Sequence, residues 1–432
     1  MSTVPLRFVT AASLFDGHDA AINIMRRLIQ DKGVEVIHLG HNRSVDDVVN
    51  AALQEDADAI CLSSYQGGHI EYFQYLIDRL KQAGAEHIAV FGGGGGTITP
   101  DEIKQLQDYG VERIYHPNDG MKMGLLGMID DVVKRAHTRR QHIAPKAEHT
   151  TDLELARMLS AIEDNALTHD ELAQLRSQWQ TQPQAPVLGI TGTGGAGKSS
   201  LTDELLNRLC QYLPQMKIAV LAVDPTRRRT GGALLGDRIR MNSLRNPQIF
   251  MRSMATRRQH AATNEMLADA IVFLKSSGVD LVIVETAGIG QSDSEIVDYV
   301  DVSSYVMTCE FGAASQLEKI DMLDFADCIV INKFEKSGSS DALRDVKKQW
   351  RRNHNEFAID DSQVPVFPCI ASQFNDPGVN WFFESLVQKL QQVSETFASK
   401  AHYHTHFNAV EPKGTAIIPG SRSRYLSEIS EN

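Results

Sequence analysis

The stretch GITGTGGAGKSS, residues 189–200, decides the fold of the second half of this chain. It contains the pattern G-x-x-x-x-G-K-S, follows an apolar run that begins at Val187, and precedes an amphipathic segment, Leu201–Leu209. Glycines here let backbone N–H groups turn toward phosphate oxygens, while Lys198 reaches the β- and γ-phosphates and the Ser199 hydroxyl ligates Mg²⁺. A glycine-rich turn without a ligand is the alternative, but the preceding strand and the following helix favour a phosphate-binding P-loop.

The residues predicted to hold the phosphates lie in this loop and at the start of the next helix: Gly192, Gly194, Gly195, Ala196, Gly197, Lys198, Ser199 and Ser200. Mg²⁺ needs further oxygen ligands, which neighbouring strand ends can supply. Asp224 ends the run IAVLAVD, and Glu285 ends the run LVIVE. Both are candidate magnesium ligands, and carboxylates that only cap the strand ends are the alternative.

A base-recognition motif is predicted after the apolar run CIVIN. Asn332, Lys333 and Glu335 form the pattern N-K-x-E, which resembles the guanine-reading N-K-x-D of GTPases with a longer last acid. A carboxylate that accepts the N1–H and 2-amino protons of guanine explains a preference for GTP. We therefore predict GTP and GDP as ligands, and ATP stays open as the alternative.

Short apolar runs alternate with helix-like segments in both halves, which predicts two α/β domains with parallel sheets. The N-terminal domain, residues 1–138, is expected to be flavodoxin-like, of the Rossmann type. Residues 139–186 are predicted to form a helical linker, residues 187–398 a P-loop GTPase domain, and residues 399–432 a polar tail.

Composition narrows the class of protein. The chain has 432 residues, of which 42% are apolar and 23% charged, as in globular proteins. Its net charge of −12 argues against a nucleic-acid binder that relies on phosphate neutralisation. Five cysteines lie far apart without a CxxC pair, and no apolar run approaches the roughly 20 residues that cross a bilayer. A cytoplasmic protein without membrane or nucleic-acid partners is expected.

Three loops of the N-terminal half carry small or polar residues after predicted strands. They contain Asp16 and His18, then Ser63, then the glycine run Gly92–Gly96. Open α/β sheets bind ligands at the carboxyl ends of their strands, so these loops are expected to face one crevice. A plain flavodoxin-like domain with a surface histidine is the alternative.

These residues resemble the DxHxxG…SxL…GG pattern of cobalamin-dependent mutases and methionine synthase, with Ala21 and Tyr65 as departures. The resemblance implies that His18 is the lower cobalt ligand and that Asp16 fixes its tautomer. It also implies that Ser63, Gly92, Gly93 and Gly94 surround the nucleotide tail of the cofactor.

The second half resembles the G-protein chaperones of methylmalonyl-CoA mutase around Asp224-Pro-Thr, Asp237 and Glu285-Thr-Ala-Gly. Joined to the first half, it resembles the front part of the fused isobutyryl-CoA mutases over essentially the whole chain. That family uses GTP hydrolysis to gate loading and off-loading of adenosylcobalamin. The resemblance implies a magnesium network of Ser199, Asp224, Asp237 and Glu285, and catalytic roles for Lys198, Glu285, Gln291 and Lys319.

The family chain continues into a (β/α)₈ barrel that binds the acyl-CoA. The residues after Ala398 are too few for a barrel, so the carbon-skeleton rearrangement is expected to need one from elsewhere. A cobalamin-delivering adenosyltransferase and a homodimer are further partners that the family implies.

Two rival hypotheses remain at this point. One is a cobalamin carrier or sensor that uses the nucleotide only as a switch. The other is an ATP-using kinase or a metallochaperone resembling nickel-insertion GTPases, although no His/Cys tract adjoins the glycine loop.

Overall fold

The computed structural model describes residues 4–141, 143–145, 151–225, 232–256, 260–286, 296–311, 317–318 and 320–414. The chain divides into two compact units. Unit 1 comprises Met1–Leu188 and Pro214–Ala287, and unit 2 comprises Gly189–Leu213 and Gly288–Asn432. No helix in the described ranges is both long and apolar enough to cross a membrane.

The strands of the described chain, in order, are β1 Arg7–Ser13, β2 Glu35–Arg43, β3 Ala59–Ser63, β4 Ala89–Gly93, β5 Arg113–Tyr115, β6 Val187–Gly192, β7 Ile218–Pro225, β8 Ala233–Leu235, β9 Ile249–Thr256, β10 Leu281–Thr286, β11 Val302–Met307, β12 Cys328–Ile331 and β13 Val366–Pro368. The helices are α1 Asp19–Asp31, α2 Val45–Gln54, α3 His69–Gln82, α4 Pro100–Tyr109, α5 Pro117–Arg139 with a kink at Gly124, α6 Asp152–Glu163, α7 His169–Gln180, α8 Lys198–Tyr212, α9 His260–Ser276, α10 Met322–Phe325, α11 Ser339–His354, α12 Pro377–Val393 and α13 Glu395–Ala398.

The first sheet of unit 1 has the strand order β5-β4-β3-β1-β2-β8, and its pairings are parallel. Every residue of the central strand β1 is buried, because helices cover both faces of the sheet. The apolar runs at residues 8–14, 34–39, 59–63 and 88–91 predict four strands in this half, and these are present as β1, β2, β3 and β4. Strand β5 was not predicted, since three residues are too short for a recognisable pattern.

The predicted linker helix is α6, and the apolar residues that repeat along it are buried: Leu153, Leu155, Met158, Leu159 and Ile162. Thr151 caps its N-terminus and pairs with Glu154 in a capping box. Helix α6 contacts both α2 and α9, and α7 also packs on α9. The linker is therefore part of the packed body of unit 1.

Unit 1 also contains β7, β9 and β10, which pair in parallel in the order β10-β7-β9. Strand β8 joins the first sheet instead, where Ala233, Leu234 and Leu235 align with Glu35, Val36 and Ile37 of β2. This pairing helps to group residues 214–287 with the N-terminal half. The domain limits 1–138, 139–186, 187–398 and 399–432 stay a prediction.

Unit 2 contains strands in the order β13-β12-β11-β6, with α8 directly after β6. Its apolar core packs β11, β12 and β13 against α11, with Ile329, Ile331 and Val346 fully buried. Strand β6 ends in the glycine loop, where the Thr193 N–H donates to the Val306 carbonyl oxygen of β11 at 3.2 Å.

Candidate functional sites

The Asp16–His18 pair lies between β1 and α1. The Asp16 carboxylate is only 2% exposed, and one of its oxygens, Oδ1, accepts a hydrogen bond from the His18 backbone N–H at 2.8 Å and lies 3.0 Å from His18 Nδ1. The other oxygen, Oδ2, accepts from the Tyr65 N–H at 2.7 Å. A carboxylate at Nδ1 makes that nitrogen the donor, so Nε2 is the nitrogen suited to bind a metal. The imidazole is 75% exposed, which leaves it accessible.

A largely apolar cavity of 300 Å³ opens beside this pair, between the sheet and helices α1 and α5. The residues that line it include Ala21, Met25, Ser63, Tyr65 and Met128. Ser63 Oγ is buried and has no hydrogen-bond partner among the described residues. A buried hydroxyl without a partner costs stability unless a ligand satisfies it, so the cavity suits an occupant that is mostly apolar and accepts one hydrogen bond. The benzimidazole base of the nucleotide tail predicted for this place, an aromatic ring with a nitrogen acceptor, has that chemistry.

The glycines beside the cavity have different roles. A Cβ on Gly92 would lie 2.4 Å from the Phe73 ring, and one on Gly94 would lie 1.9 Å from the Ser64 carbonyl oxygen. At Gly93 the nearest atom would be at an ordinary 3.5 Å. Gly92 and Gly94 therefore keep the loop packed against its own domain, and all three line the cavity.

The glycine loop of unit 2 has the backbone that phosphate binding needs. Gly192, Gly195 and Gly197 have φ values of 145°, 76° and 91°, a region that side chains disfavour. Gly197 caps helix α8, whose N-terminal N–H groups and dipole favour an anion. Lys198 Nζ donates to the carbonyl oxygens of Gly192 at 2.8 Å and Thr193 at 3.3 Å, so its charge lies over the loop.

The predicted base-recognition residues meet this loop. Asn332 Nδ2 donates to the Ala196 carbonyl oxygen at 2.8 Å, and Lys333 Nζ donates to that of Gly195, also at 2.8 Å. Asn332 Oδ1 accepts from the Ala371 N–H at 3.0 Å. Glu335 is exposed, so its carboxylate is accessible to a base. Sequence reasoning missed Ala371, whose only local signal is a small residue soon after a short apolar strand.

The predicted magnesium carboxylates Asp224, Asp237 and Glu285 are near one another in unit 1. Burial first, then a hydrogen bond and charge from Asp237 and charge from Glu285, raise the pKa of Asp224 to about 8. Glu285 is buried and Asp224 and Asp237 are half-buried, and carboxylates clustered in this way favour a cation. Among the described residues, no group of three or more His, Cys, Asp or Glu side chains is arranged to hold a metal ion.

Two predicted catalytic residues, Gln291 and Lys319, lie outside the described residues. Ser199 and Ser200 begin helix α8 in unit 2, and Ser199 is buried. The roles of these four residues stay predictions.

The fold and the two sites define a class: a P-loop nucleotide-binding protein joined to an α/β domain with a histidine beside an apolar crevice. Two family models agree with this division. The model for the methylmalonyl-CoA mutase-associated GTPase MeaB matches residues 155–408, and the model for the B12 binding domain matches residues 6–121. The chain belongs to the MeaB family of mutase-associated GTPases and carries a B12-binding domain in front.

Curated relatives match this chain over different shares of its length. The fused isobutyryl-CoA mutase of Geobacillus kaustophilus is 51% identical over 99% of this chain and 40% of its own length. The one of Cupriavidus metallidurans is 52% identical over 99% of this chain and 39% of its own length. The mitochondrial methylmalonic aciduria type A homolog of Caenorhabditis elegans is 34% identical over 34% of this chain and 35% of its own length. The chain thus spans about two fifths of the fused relatives, and the predicted resemblance and fold class are confirmed.

Proposed function

We propose that this protein binds adenosylcobalamin in its N-terminal domain and hydrolyses GTP in its second, and that hydrolysis gates loading and off-loading of the cofactor for an acyl-CoA carbon-skeleton mutase. The reaction served is the conversion of isobutyryl-CoA to n-butyryl-CoA. The observation that carries the proposal is the buried Asp16 carboxylate 3.0 Å from the exposed His18 ring, beside an apolar cavity.

In the cobalamin site, His18 holds cobalt through Nε2, while Asp16 orients the ring and raises its basicity. Ser63 donates its hydroxyl proton to the nucleotide tail in the cavity, and Gly92, Gly93 and Gly94 form the wall. Bound adenosylcobalamin supplies the radical chemistry that a carbon-skeleton rearrangement needs. The domain itself binds and orients the cofactor and shields its tail from water.

In the nucleotide site, the N–H groups of residues 192–200 surround the phosphates, and Lys198 stabilises the charge that develops during hydrolysis. Mg²⁺ is bound by Ser199 and by the carboxylates Asp224, Asp237 and Glu285, directly or through water. Gln291 and Lys319 take part in hydrolysis; their assignment is supported by the family motif alone.

Asn332, Lys333 and Glu335 read the base. Two of these side chains bond to the glycine loop, which supports a base site beside the phosphates. The carboxylate of Glu335 accepts the N1–H and 2-amino protons of guanine, so GTP should turn over faster than ATP.

The fused isobutyryl-CoA mutases among the relatives support a mutase as partner, and the other partners are proposed from the family resemblance alone. A (β/α)₈ mutase barrel, as a domain or a subunit, receives the cofactor and binds the acyl-CoA. A cobalamin-delivering adenosyltransferase supplies the cofactor, the assembly is a homodimer, and the site of action is the cytoplasm.

Spectroscopy of the His18→Ala variant tests the cobalt ligand. The wild-type chain with adenosylcobalamin should show the spectrum of cofactor whose own base is displaced by histidine. His18→Ala should lose it, whereas His169→Ala, on exposed helix α7, should keep it. A wild-type spectrum from His18→Ala would remove this residue from the cobalt. Addition of a mutase barrel to the chain should restore isobutyryl-CoA conversion; a chain that only carries cobalamin would fail to do so.

A further inference from the structure

A buried cluster of six charged side chains joins three parts of unit 1. Three arginines face three glutamates, and each is at most 5% exposed: Arg7, Arg238, Arg252, Glu35, Glu55 and Glu163. The charges balance, which reduces the cost of burying them. The cluster therefore behaves as one unit, since moving any member leaves another charge without its partner.

Arg7 and Glu55 are central to the cluster. Arg7, at the start of β1, lies 2.8 Å from Glu35, 3.2 Å from Glu55 and 2.8 Å from Glu163 at the end of α6. Glu55 follows α2 and also accepts from the Ser253 N–H and hydroxyl of β9. Residues of the cobalamin-binding sheet, the linker helix and the GTPase-family segment thus share hydrogen bonds.

Arg238 enters this cluster from the segment that follows β8. Its Nε lies 2.7 Å from Glu55, its Nη2 donates to Gln54 at 2.9 Å, and it is 5% exposed. Two neighbouring contacts fix the segment further. Strand β8 pairs with β2, and a Cβ on Gly232 would lie 2.3 Å from the Gln30 carbonyl oxygen, so only glycine fits this close approach.

Asp237 precedes Arg238 directly, at the start of one short 3₁₀ turn. Its side chain hydrogen-bonds to Asp224 at the end of β7. Asp237 therefore contacts a carboxylate proposed to hold magnesium, while Arg238 bonds to Glu55 and Gln54 at the end of helix α2, in the N-terminal half, and to the Met251 carbonyl oxygen of β9. Protein interiors are packed too tightly for one of these neighbours to shift alone.

From Arg7 the strand β1 runs straight to the cobalamin site. At its far end, the Ser13 hydroxyl donates to the Ser64 hydroxyl at 2.9 Å, and Asp16 follows three residues later. Ser63, the unpartnered hydroxyl of the cavity, is the neighbour of Ser64. The fully buried strand β1 therefore connects the charged cluster at Arg7 to the segment that carries Asp16 and, through Ser13, to the neighbour of Ser63.

We infer that Arg238 is a positioning residue that couples the carboxylates Asp224 and Asp237 to the cobalamin-binding sheet, so that nucleotide and magnesium occupancy changes the affinity for adenosylcobalamin. This inference rests on the proposed function and assigns its coupling to one residue. The coupling is reciprocal, so cobalamin changes nucleotide affinity by the same factor.

The test measures the Kd of adenosylcobalamin for the full chain with GDP and with a non-hydrolysable GTP analogue, both with Mg²⁺. The ratio of the two constants in the wild type should be about fivefold or more. In the Arg238→Met variant, the ratio of the two Kd values should lie within about twofold of one. The variant should still bind adenosylcobalamin in the absence of nucleotide. Arg245→Met is the matched control, because Arg245 joins the same segment to Asp47 through an exposed pair at 3.3 Å; its ratio should equal that of the wild type.

A simple structural role for Arg238 lowers stability without changing the ratio. A folded Arg238→Met chain with the wild-type ratio therefore overturns the inference. If that variant fails to fold, Gln54→Leu replaces it, because Gln54 Oε1 accepts the hydrogen bond of Arg238 Nη2 at 2.9 Å. A lowered ratio supports the inference, and an unchanged one overturns it. Suppose that the wild type binds cobalamin and hydrolyses GTP, but that its Kd for adenosylcobalamin is the same with GDP and with the GTP analogue. This result contradicts only the present inference. A wild type that does neither contradicts the proposed function.

Discussion

Two glycine-rich loops follow parallel strands in this protein, and glycine is needed in each for a different reason. At the end of β4 and in the loop after it, a Cβ on Gly92 or Gly94 would overlap atoms of the same domain, so glycine there provides space. In the loop after β6, Gly192, Gly195 and Gly197 have left-handed φ values, so glycine there permits a backbone shape. The first loop borders an apolar cavity, and the second directs N–H groups toward an anion.

The largest expected effect is on GTP hydrolysis, which we assign to the second loop and not to the first. Lys198→Ala removes the charge over the second loop, so GTP hydrolysis should fall about 100-fold or more. The affinity for cobalamin, measured by titration in the absence of nucleotide, should stay within about twofold. Lys104→Ala, on the surface of α4, is the control. Hydrolysis by Lys198→Ala at the wild-type rate would show that this lysine does not act on the phosphates.

The next prediction tests whether the loop after β4 needs glycine because a side chain would not fit. Gly94→Ala places a Cβ 1.9 Å from the Ser64 carbonyl oxygen, so the backbone must shift, and we expect a loss of about 3 kcal/mol in unfolding free energy. Gly96→Ala in the same loop meets no atom within 4 Å and should change it by less than about 0.5 kcal/mol. Denaturant unfolding measures both. Equal losses would mean that flexibility, rather than space, governs this loop.

A third prediction concerns the pH dependence of stability that arises from Asp224, one of the carboxylates proposed to bind Mg²⁺. The pKa of Asp224 is raised to about 8, chiefly by burial, so its contribution to stability is present below the unfolded pKa of 3.8 and is lost as pH rises through 8. Without Mg²⁺, unfolding free energy should fall by about 2 kcal/mol between pH 6 and 8. Saturating Mg²⁺ or Asp224→Asn should flatten this slope. A slope that persists in Asp224→Asn would assign it to another group.

The smallest expected effect tests whether the loop after β6 needs glycine for its left-handed φ values. Gly195→Ala forces a side chain into φ 76°, which should cost about 1 kcal/mol and weaken nucleotide binding accordingly. Gly194→Ala has open space and no left-handed φ, so it should cost less. Calorimetric titration with GDP compares the two variants. The reverse order would contradict the proposed role of the left-handed glycines.

Strand prediction succeeded where local patterns carry the signal. The runs at β1, β2, β3 and β4, and those at β6, β7 and β10, are present as strands. Strand β9 was missed because Arg252 interrupts its apolar run, yet this arginine is 1% exposed and lies 2.8 Å from Glu163. Because Glu163 lies 89 residues away in the sequence, the local pattern of residues cannot predict this contact.

The residues of the candidate sites were likewise predicted where a local motif identifies them and missed where none does. The glycine loop and Asn332-Lys333 were predicted as separate motifs, and the structure brings them within hydrogen-bond distance. Ala371 was missed, since it contributes only a backbone N–H, which any residue has. The pairing of Asp16 with His18 was predicted from the resemblance to cobalamin-dependent mutases, and Asp16 Oδ1 lies 3.0 Å from His18 Nδ1.

The sequence by itself determined the local chemistry: a P-loop, a base-recognition motif, and a histidine paired with an acid after the first strand. These depend on neighbouring residues, whose backbone geometry is set by sterics and glycine content. Only the tertiary structure decided that β8 joins the N-terminal sheet and that Arg238 is buried against Glu55. Long-range contacts of this kind are fixed by packing and charge balance between distant segments, which no single segment specifies.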